Sequence, residues 1–339
     1  MFFNLISIIS RIFQIMFCLS LVSTDPFFNL AVDEYLLKNS SEDYLILGIN
    51  DSSVIIGKHQ VAHRETDTRF VSEHNIPVIR RISGGGTVFH DRGNLNFSFI
   101  LNANRGKQID FRKYTQPVID FLSSVGIDAK FEGINDLKVD GLKISGNAEH
   151  VFRNRVLHHG TLLFNSDLEL MKSSIRNDAG NYETRAVRSN PSPVINLNNV
   201  LKNVLKDVLK YVDNIYEFKS LMLNWFLENT PGSRIYDLSG EETDKIKLHA
   251  ETKYRTWEWN YAYGPEYHFS NRLEFKGEES LCRLFVKDGI IWGSEIKGSG
   301  ELEKVCKKLI GCRHMVKDVQ EVLEKENIFK PEFDIYNFF

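Results

Sequence analysis

Between Cys18 and Cys282 the chain has no cysteine, which excludes a thiol nucleophile from most of its length. The four that exist, Cys18, Cys282, Cys306 and Cys312, have neither paired CxxC spacing nor the density of a disulfide-stapled secreted scaffold. They read as reduced thiols in a cytoplasmic protein. Neither sign of charge is in large excess, and a net charge of -3 argues against nonspecific nucleic-acid binding while leaving room for a local basic site. Repeats and low-complexity tracts are absent. The one long apolar run, Met1 to Val22, is divided by Ser10, Arg11 and Gln14, lacks a charged leading region and a small-x-small cleavage site, and is too poor in arginine for a mitochondrial presequence. No membrane partner is therefore expected. The simplest account starts translation at Met16, leaving 1–15 as a non-native extension and Phe17 to Val22 as a first strand; N-terminal sequencing that recovered Met1 would overturn it. What is present is globular: 339 residues, 42% hydrophobic and 26% charged, enough for two domains.

Asn29 to Leu37 has helical spacing, with Ser23, Thr24 or Asp25 available as cap and Pro26 suited to the first turn. Tyr44 to Ile49 and Ser53 to Gly57 read as strands joined by a turn at Asn50-Asp51. Ile76 to Ile79 and the alternating Leu95 to Ile100 read as strands on either side of a glycine-rich loop. Phe111 to Val125 reads as an amphipathic helix ended by Gly126, although Pro117 counts against an unbroken run. Ile127 to Phe131, Asp136 to Val139, Leu142 to Ser145 and Val156 to Phe164 resume the strand pattern, with a hairpin turn at Asp140-Gly141. A short helix at Asp167 to Ile175, a long polar loop at Arg176 to Pro193, helices at Leu197 to Val212 and Glu217 to Leu227, and turn residues over Glu228 to Ser239 follow. A small distal unit opens near Trp257, with three strands and a helix at Glu301 to Ile310.

The densest chemistry lies between Arg80 and Asn94, where two cations and three consecutive glycines sit among side-chain donors. That mixture suits a phosphate or a carboxylate. Without a Cβ, the glycines can take positive φ and let a ligand approach backbone N–H groups. The loop is not a Walker A motif, because no Gly-Lys-Ser/Thr ends it. A glycine hairpin with a solvated basic flank would explain the glycines alone, but Arg81, His90, Asp91 and Asn94 are more than a turn requires. A second cluster runs from Gly133 to Ala148. Its informative residue is Lys143, beside Gly146 and Ala148, which are small enough to leave space for a ligand. A strand lysine is ordinarily a solvated edge residue, and Asn135 and Asp136 ordinarily form turns. The third cluster is His158-His159-Gly160-Thr161. Adjacent strand histidines point to opposite faces and do not readily share a metal, so structural imidazoles are the simpler reading.

In this order Arg80-Arg81-x-Ser83-Gly84-Gly85-Gly86-x-Val88-Phe89-His90-Asp91-x-Gly93-Asn94, Asn135-Asp136-Leu137, Lys143-Ile144-Ser145-Gly146-x-Ala148 and His158-His159-Gly160-Thr161-Leu162-Leu163 resemble the lipoate-protein ligase family. Asn29-Leu30-Ala31 is similar to the family's opening helix, and Trp257-Glu258-Trp259-Asn260 to the start of its C-terminal domain. The resemblance implies an α+β fold: a catalytic domain like those of class II aminoacyl-tRNA synthetases and biotin ligases over 16–245, and a small α+β accessory domain over 255–339. It implies lipoate salvage in two steps. Lipoate and ATP, with Mg²⁺, give lipoyl-AMP and pyrophosphate. The lipoyl group then passes to a lysine in the lipoyl domains of 2-oxo acid dehydrogenase acyltransferase subunits or in the glycine-cleavage carrier protein.

The same resemblance assigns Lys143 as the catalytic lysine, touching both the lipoyl carbonyl and the adenylate phosphate. It gives ATP or the adenylate to Arg81, Gly86, Thr87, Val88, Phe89, Asn135, Asp136, Lys143, Arg185, Val187 and Arg188. Lipoate falls to Arg81, Ser83, Gly84, Gly85, His90, Asn94, Lys143, Gly146, Ala148, His159, Gly160 and Thr161. Asp136 either holds Mg²⁺ or orients Lys143. Val78, Phe89 and Leu162 are candidates for the apolar slot around the dithiolane. Tyr182 to Ser189 matches the family's adenylate-binding loop, but Asn190-Pro191-Ser192-Pro193 stands where the family often has a second arginine. Two other readings stay open: a transferase that uses preformed lipoyl-adenylate, and a non-catalytic module that holds lipoyl or biotinyl domains. The missing thiol weighs against a thioester-transferring relative, and a biotin ligase is disfavoured because its Gly-Arg-Gly-type loop is not seen.

Overall fold

The computed structural model describes residues 16–103, 109–176, 180–204, 212, 214–326 and 334–339. The expected extension over 1–15 and part of the expected helix Leu197 to Val212 lie outside the described residues. The chain opens with β1 (Met16–Ser20), then α1 (Pro26–Asn39), which Asp25 caps by accepting the Phe27 N–H while Pro26 fills the first turn. β2 (Asp43–Ile49) and β3 (Ser53–Ile56) follow. They enter different sheets rather than one hairpin. Two short helices, α2 (Ala62–Glu65) and α3 (Thr68–Glu73), lead to β4 (Val78–Arg80), β5 (Val88–His90) and β6 (Asn94–Asn102).

The strands β4 and β5 flank β3 in the order β4-β3-β5, so the glycine-rich loop crosses the end of β3 instead of closing a hairpin. At one strand spacing each side, its two ends stand about 10 Å apart. The hairpin alternative is thereby excluded. A further strand, Val88–His90, sits where the sequence pattern predicts loop, and it puts Val88 and His90 on one face with Phe89 on the other.

Next come α4 (Phe111–Ser124), β7 (Lys130–Glu132), β8 (Asp136–Val139), β9 (Leu142–Phe152) and β10 (Arg155–Leu163). Pro117 lies inside α4 without ending it. The carbonyl that loses its partner belongs to exposed Lys113, so solvent replaces the bond. Asp140 and Gly141, at φ 50° and 78°, form the expected tight turn between β8 and β9. After α5 (Leu168–Ser174), β11 (Tyr182–Thr184), α6 (Leu197–Val204), α7 (Ile215–Asn229) and β12 (Arg234–Ile235), the large sheet is complete in the order β12-β1-β2-β6-β10-β9-β8-β7.

On β6, Leu95, Phe97, Phe99 and Leu101 pack against Phe121 of α4 and Phe218 and Phe226 of α7. Apart from exposed Asn102 at the strand end, its alternate residues are not solvated. Ser98, 6% exposed, donates to Asp33 of α1, and both line a cavity on the opposite face. The polar alternation therefore marks a cavity wall, not a water-facing surface.

The chain then forms α8 (Gly240–His249) and two π-helical turns, Ala250–Tyr254 and Glu258–Ala262. Ile246 and Tyr254 pack against α1, and buried Glu34 of α1 accepts bonds from Lys38, His249, Lys253 and Tyr254. Those donors hold its carboxyl far below the usual range. The last part comprises β13 (Tyr267–Phe275), β14 (Glu278–Lys287), β15 (Ile290–Lys297), α9 (Gly300–Lys308) and α10 (Val316–Lys325) around a separate core that includes Phe269, Leu284, Leu302 and Leu323. Part of the long polar loop forms a strand: β11 pairs antiparallel with β13.

Candidate active site

Arg81 is buried at the end of β4 and builds the glycine loop from beneath. Its Nη2 donates to the carbonyls of Gly84 (2.5 Å) and Gly86 (2.7 Å), Nη1 to Ile55 O (3.2 Å) and Nε to Ser83 Oγ (2.9 Å). In a trans peptide the C=O and the following N–H point in opposite directions, so gripping Gly86 O aims the Thr87 N–H away from Arg81. Gly85 takes φ 87°, and at Gly57 a Cβ would come within 2.1 Å of Gly85 O. Only glycine at 57 lets the loop lie this close to the end of β3.

Arg80 is also buried, and it faces the other way. Its guanidinium donates to the carbonyls of Gly57, Lys58, Gln60, Trp259 and Asn260, while Trp259 Nε1 returns a bond to Arg80 O. Burial pushes both arginines down to about 10, which leaves them charged at neutral pH. Their bonds go to neutral oxygens, so both positive charges act on the loop, opposed there by the Glu65 carboxylate that accepts from Thr87 Oγ1.

Lys143 lies on β9, with Nζ 2.8 Å from Asp136 Oδ1 on the neighbouring strand. That contact lets Asp136 orient the ammonium, one of the two roles open to it. Lys143, Gly146, Thr161 and Val88 form a wall shared by two cavities, of about 810 and 390 Å³. The larger reaches Leu21, Leu30, Ile46 and Ile55. The smaller reaches Phe89, Met171, Lys172 and Arg176. Val78 and Leu162 line neither, because β4 and β10 turn them into hydrophobic clusters, and Phe89 of β5 lines only the smaller.

The two adjacent histidines part as strand geometry requires. His158 is a core residue between Glu149 and Thr115, its pKa lowered by burial. His159 faces the larger cavity: Nε2 lies 2.6 Å from Ser83 Oγ and Nδ1 3.2 Å from Asp33 Oδ2. Those separations match a Ser-His-Asp triad. Ser83, however, is 0% exposed and its oxygen already accepts from Arg81 Nε, so the chain props the glycine loop instead of supplying a nucleophile. His90 accepts at Nδ1 from Asn50 Nδ2 (2.8 Å), and Asn50 in turn accepts from Asn29 (2.7 Å). Burial, aided by the Arg81 charge, drops His90 to about 3, so it stays a neutral Nε2–H donor at the cavity.

Gly84, Gly85, Gly86, Thr87, Asn135, Ala148, Gly160, Val187 and Arg188 also line the larger cavity. Asn94 does not: it is buried and donates to Asn96. Arg185 is exposed on the loop and lines neither cavity. The sequence reading placed Ser189 only within the adenylate-binding loop, and it missed Asp33, Asn29, Asn50, Gln60 and Glu65. Asn29 and Asp33, one helical turn apart on an otherwise apolar face of α1, carried a signal. The others carried none.

A family model described as Lipoyl protein ligase A/B catalytic domain matches residues 25–223. Lipoate-protein ligase 1 of Staphylococcus aureus (strain Mu50 / ATCC 700699) is 36% identical over 322 residues, which cover 93% of each chain. The chain belongs to the lipoate-protein ligase family. Its fold is shared by Ta0514, a putative lipoate protein ligase from T. acidophilum solved with bound lipoic acid (25% identity, TM-score 0.57, covering 73% of this chain and 98% of that one). It is shared too by a lipoate-protein ligase A structure bound with ATP (24% identity, TM-score 0.58, covering 73% and 97%).

In this member of the lipoate-protein ligase family, Gly146 leaves room for the lysine tip: a Cβ there would stand 3.1 Å from both Cε and Nζ of Lys143. Gly146→Ala should shift the ammonium by a few tenths of an ångström and slow lipoate-dependent ATP–pyrophosphate exchange by about 10-fold. An unchanged melting temperature would locate that loss in positioning, and an unchanged rate would show that the ammonium tolerates the shift.

Proposed function

We propose that this protein joins lipoate to ATP, releasing pyrophosphate, and then passes the lipoyl group to a lysine of an acceptor domain. The observation that carries the reading is Lys143 Nζ, held by Asp136 on the wall between two cavities. An apolar acyl tail fits the Leu21, Leu30, Ile46 and Ile55 end of the larger cavity. The nucleotide fits the smaller one, where Lys172, Arg176 and Arg188 can meet phosphates and Phe89 and Met171 the base.

In the first step a carboxylate oxygen bonds to the α-phosphorus as the bond to pyrophosphate breaks. Lys143 draws together two anions that would otherwise repel, and the Thr87 N–H and the Arg80–Arg81 field meet charge building on phosphoryl oxygens. In the second, the acceptor amine attacks the acyl carbon and AMP leaves; the same ammonium steadies the oxyanion. His90, Asn50 and Asn29 place a neutral donor along the acyl channel, and residues 188–193 wall the reacting centre from water.

Mg²⁺ ordinarily takes one or two carboxylates plus substrate phosphates, and the carboxylate of Asp136, paired to Lys143 through Oδ1, fits that pattern. It would neutralise charge on the polyphosphate. Among the described residues no cluster of three or more His, Cys, Asp or Glu forms a metal cage. Acceptors of the lipoyl-domain class, and division into a catalytic unit over 16–245 and an accessory unit over 255–339, belong to the same proposal. So does a cytoplasmic location, supported by four free cysteines. No described helix is long and apolar enough to cross a membrane.

Lipoate-dependent exchange between ATP and labelled pyrophosphate tests the proposal directly. Exchange that appears only with lipoate supports it. Transfer from preformed lipoyl-AMP without exchange would make the protein an adenylate-dependent transferase instead.

A further inference from the structure

The Thr87 N–H that Arg81 aims into the site is already occupied. Ser189 Oγ accepts from it at 2.8 Å and from Gln60 Nε2 at 3.1 Å, and donates to Glu65 Oε2. An oxygen accepting two N–H bonds is what a phosphate oxygen would be in the same place. The surroundings are shaped for it. A Cβ on Gly86 would stand 3.3 Å from Ser189 Cα and Oγ, so the last glycine of the loop leaves the room Ser189 uses. Gln60, 0% exposed, is fixed by accepting from Gly57 N (2.7 Å) and Thr87 Oγ1 (3.0 Å). Glu65, 4% exposed, also accepts from Ser189 N (3.3 Å).

The segment carrying Ser189 is anchored at both ends. Val187 N bonds to His59 O, and Arg64 bonds to Ala186 O, on one side; Lys143 N bonds to Pro193 O, and Ile195 N to Lys143 O, on the other. Between these anchors Ser189 pins the segment to the glycine loop. The segment in turn lines both cavities from Arg188 to Pro193.

We propose that Ser189 is a resident occupant of the anion site, held there by Glu65, and that ATP binds by displacing its hydroxyl from the Thr87 N–H. The inference rests on the ATP-dependent reading above. Displacement exchanges one set of hydrogen bonds for another and breaks no covalent bond. It makes nucleotide entry and release of the 188–193 segment one event, and it lowers apparent ATP affinity. Glu65 strengthens the effect, because its charge faces the incoming phosphates.

The test is the ATP dissociation constant, by calorimetry with Mg²⁺-ATP and no lipoate, together with the ATP KM in exchange, for the wild type, Ser189→Ala and Glu65→Gln. Ser189→Ala should bind ATP about 2- to 10-fold more tightly, the worth of one net hydrogen bond. Glu65→Gln should move in the same direction. A merely structural lesion does not tighten ATP binding, so the sign separates displacement from damage. Unchanged or weaker ATP binding in Ser189→Ala would overturn the proposal and make Ser189 a passive clasp of the segment. Wild-type protein that binds ATP but shows no lipoate-dependent exchange would instead sink the ligase reading, with the Ser189 effect still measured by calorimetry.

Discussion

Lys143→Ala should reduce both lipoate-dependent exchange and lipoyl transfer by about 10³-fold, the upper range for losing one preorganised donor at a developing oxyanion. The expected size follows from position. The ammonium stands on the wall common to both cavities, and Asp136 holds it by an ion pair only about one-fifth exposed on either side, so little solvent screening intervenes. Without it, carboxylate and α-phosphate meet as unshielded like charges, and Asp136 is left as a further anion beside them. Single-turnover kinetics on ATP and on preformed lipoyl-AMP separate the two steps. Loss in one step alone would confine the lysine to that step, and near-normal rates in both would remove it from the chemistry.

Arg81→Lys should lower exchange by about 10²-fold although charge is conserved, because one ammonium cannot reproduce a planar fork. The guanidinium spans Ser83, Ile55, Gly84 and Gly86 from a buried position. A lysine would reach at most part of that set and leave the rest unpaired in a site with little water, costing about 1–3 kcal/mol of stability per stranded group. The Thr87 N–H would then lose its aim. Exchange kinetics and a denaturant titration check both expectations. If the lysine variant exchanged at the wild-type rate, positive charge alone would be the contribution of Arg81, and the argument from peptide geometry would fail.

Much of the fold was legible because local patterns and tertiary packing agree. Asp25-Pro26 opens α1, Asp140-Gly141 turns β8 into β9, and the two histidines of β10 separate to opposite faces as strand geometry demands. Legibility failed where a contact overrode the pattern. Pro117 is absorbed in α4 because the carbonyl it strands is exposed. Tyr182 to Thr184, placed in a polar loop, form a strand because β13 offers an edge 83 to 87 residues further along the chain. Alternation on β6 predicts the strand but not what its polar face meets, since a hydrophobicity pattern cannot tell water outside the protein from a cavity within it.

The sequence by itself determined the family, through a glycine loop, a lysine strand and a histidine strand in a fixed order, and the α+β character of the chain. These depend on residue identity and short spacing, which a sequence states outright. Only the tertiary structure decided that Arg81 holds the loop from below, that Asp136 steers Lys143, that His159 leans on Asp33, and that Ser189 sits on Thr87 from 102 residues away. Hydrogen bonds and ion pairs select partners by distance and direction in space, and those are set only once the sheets and loops have packed.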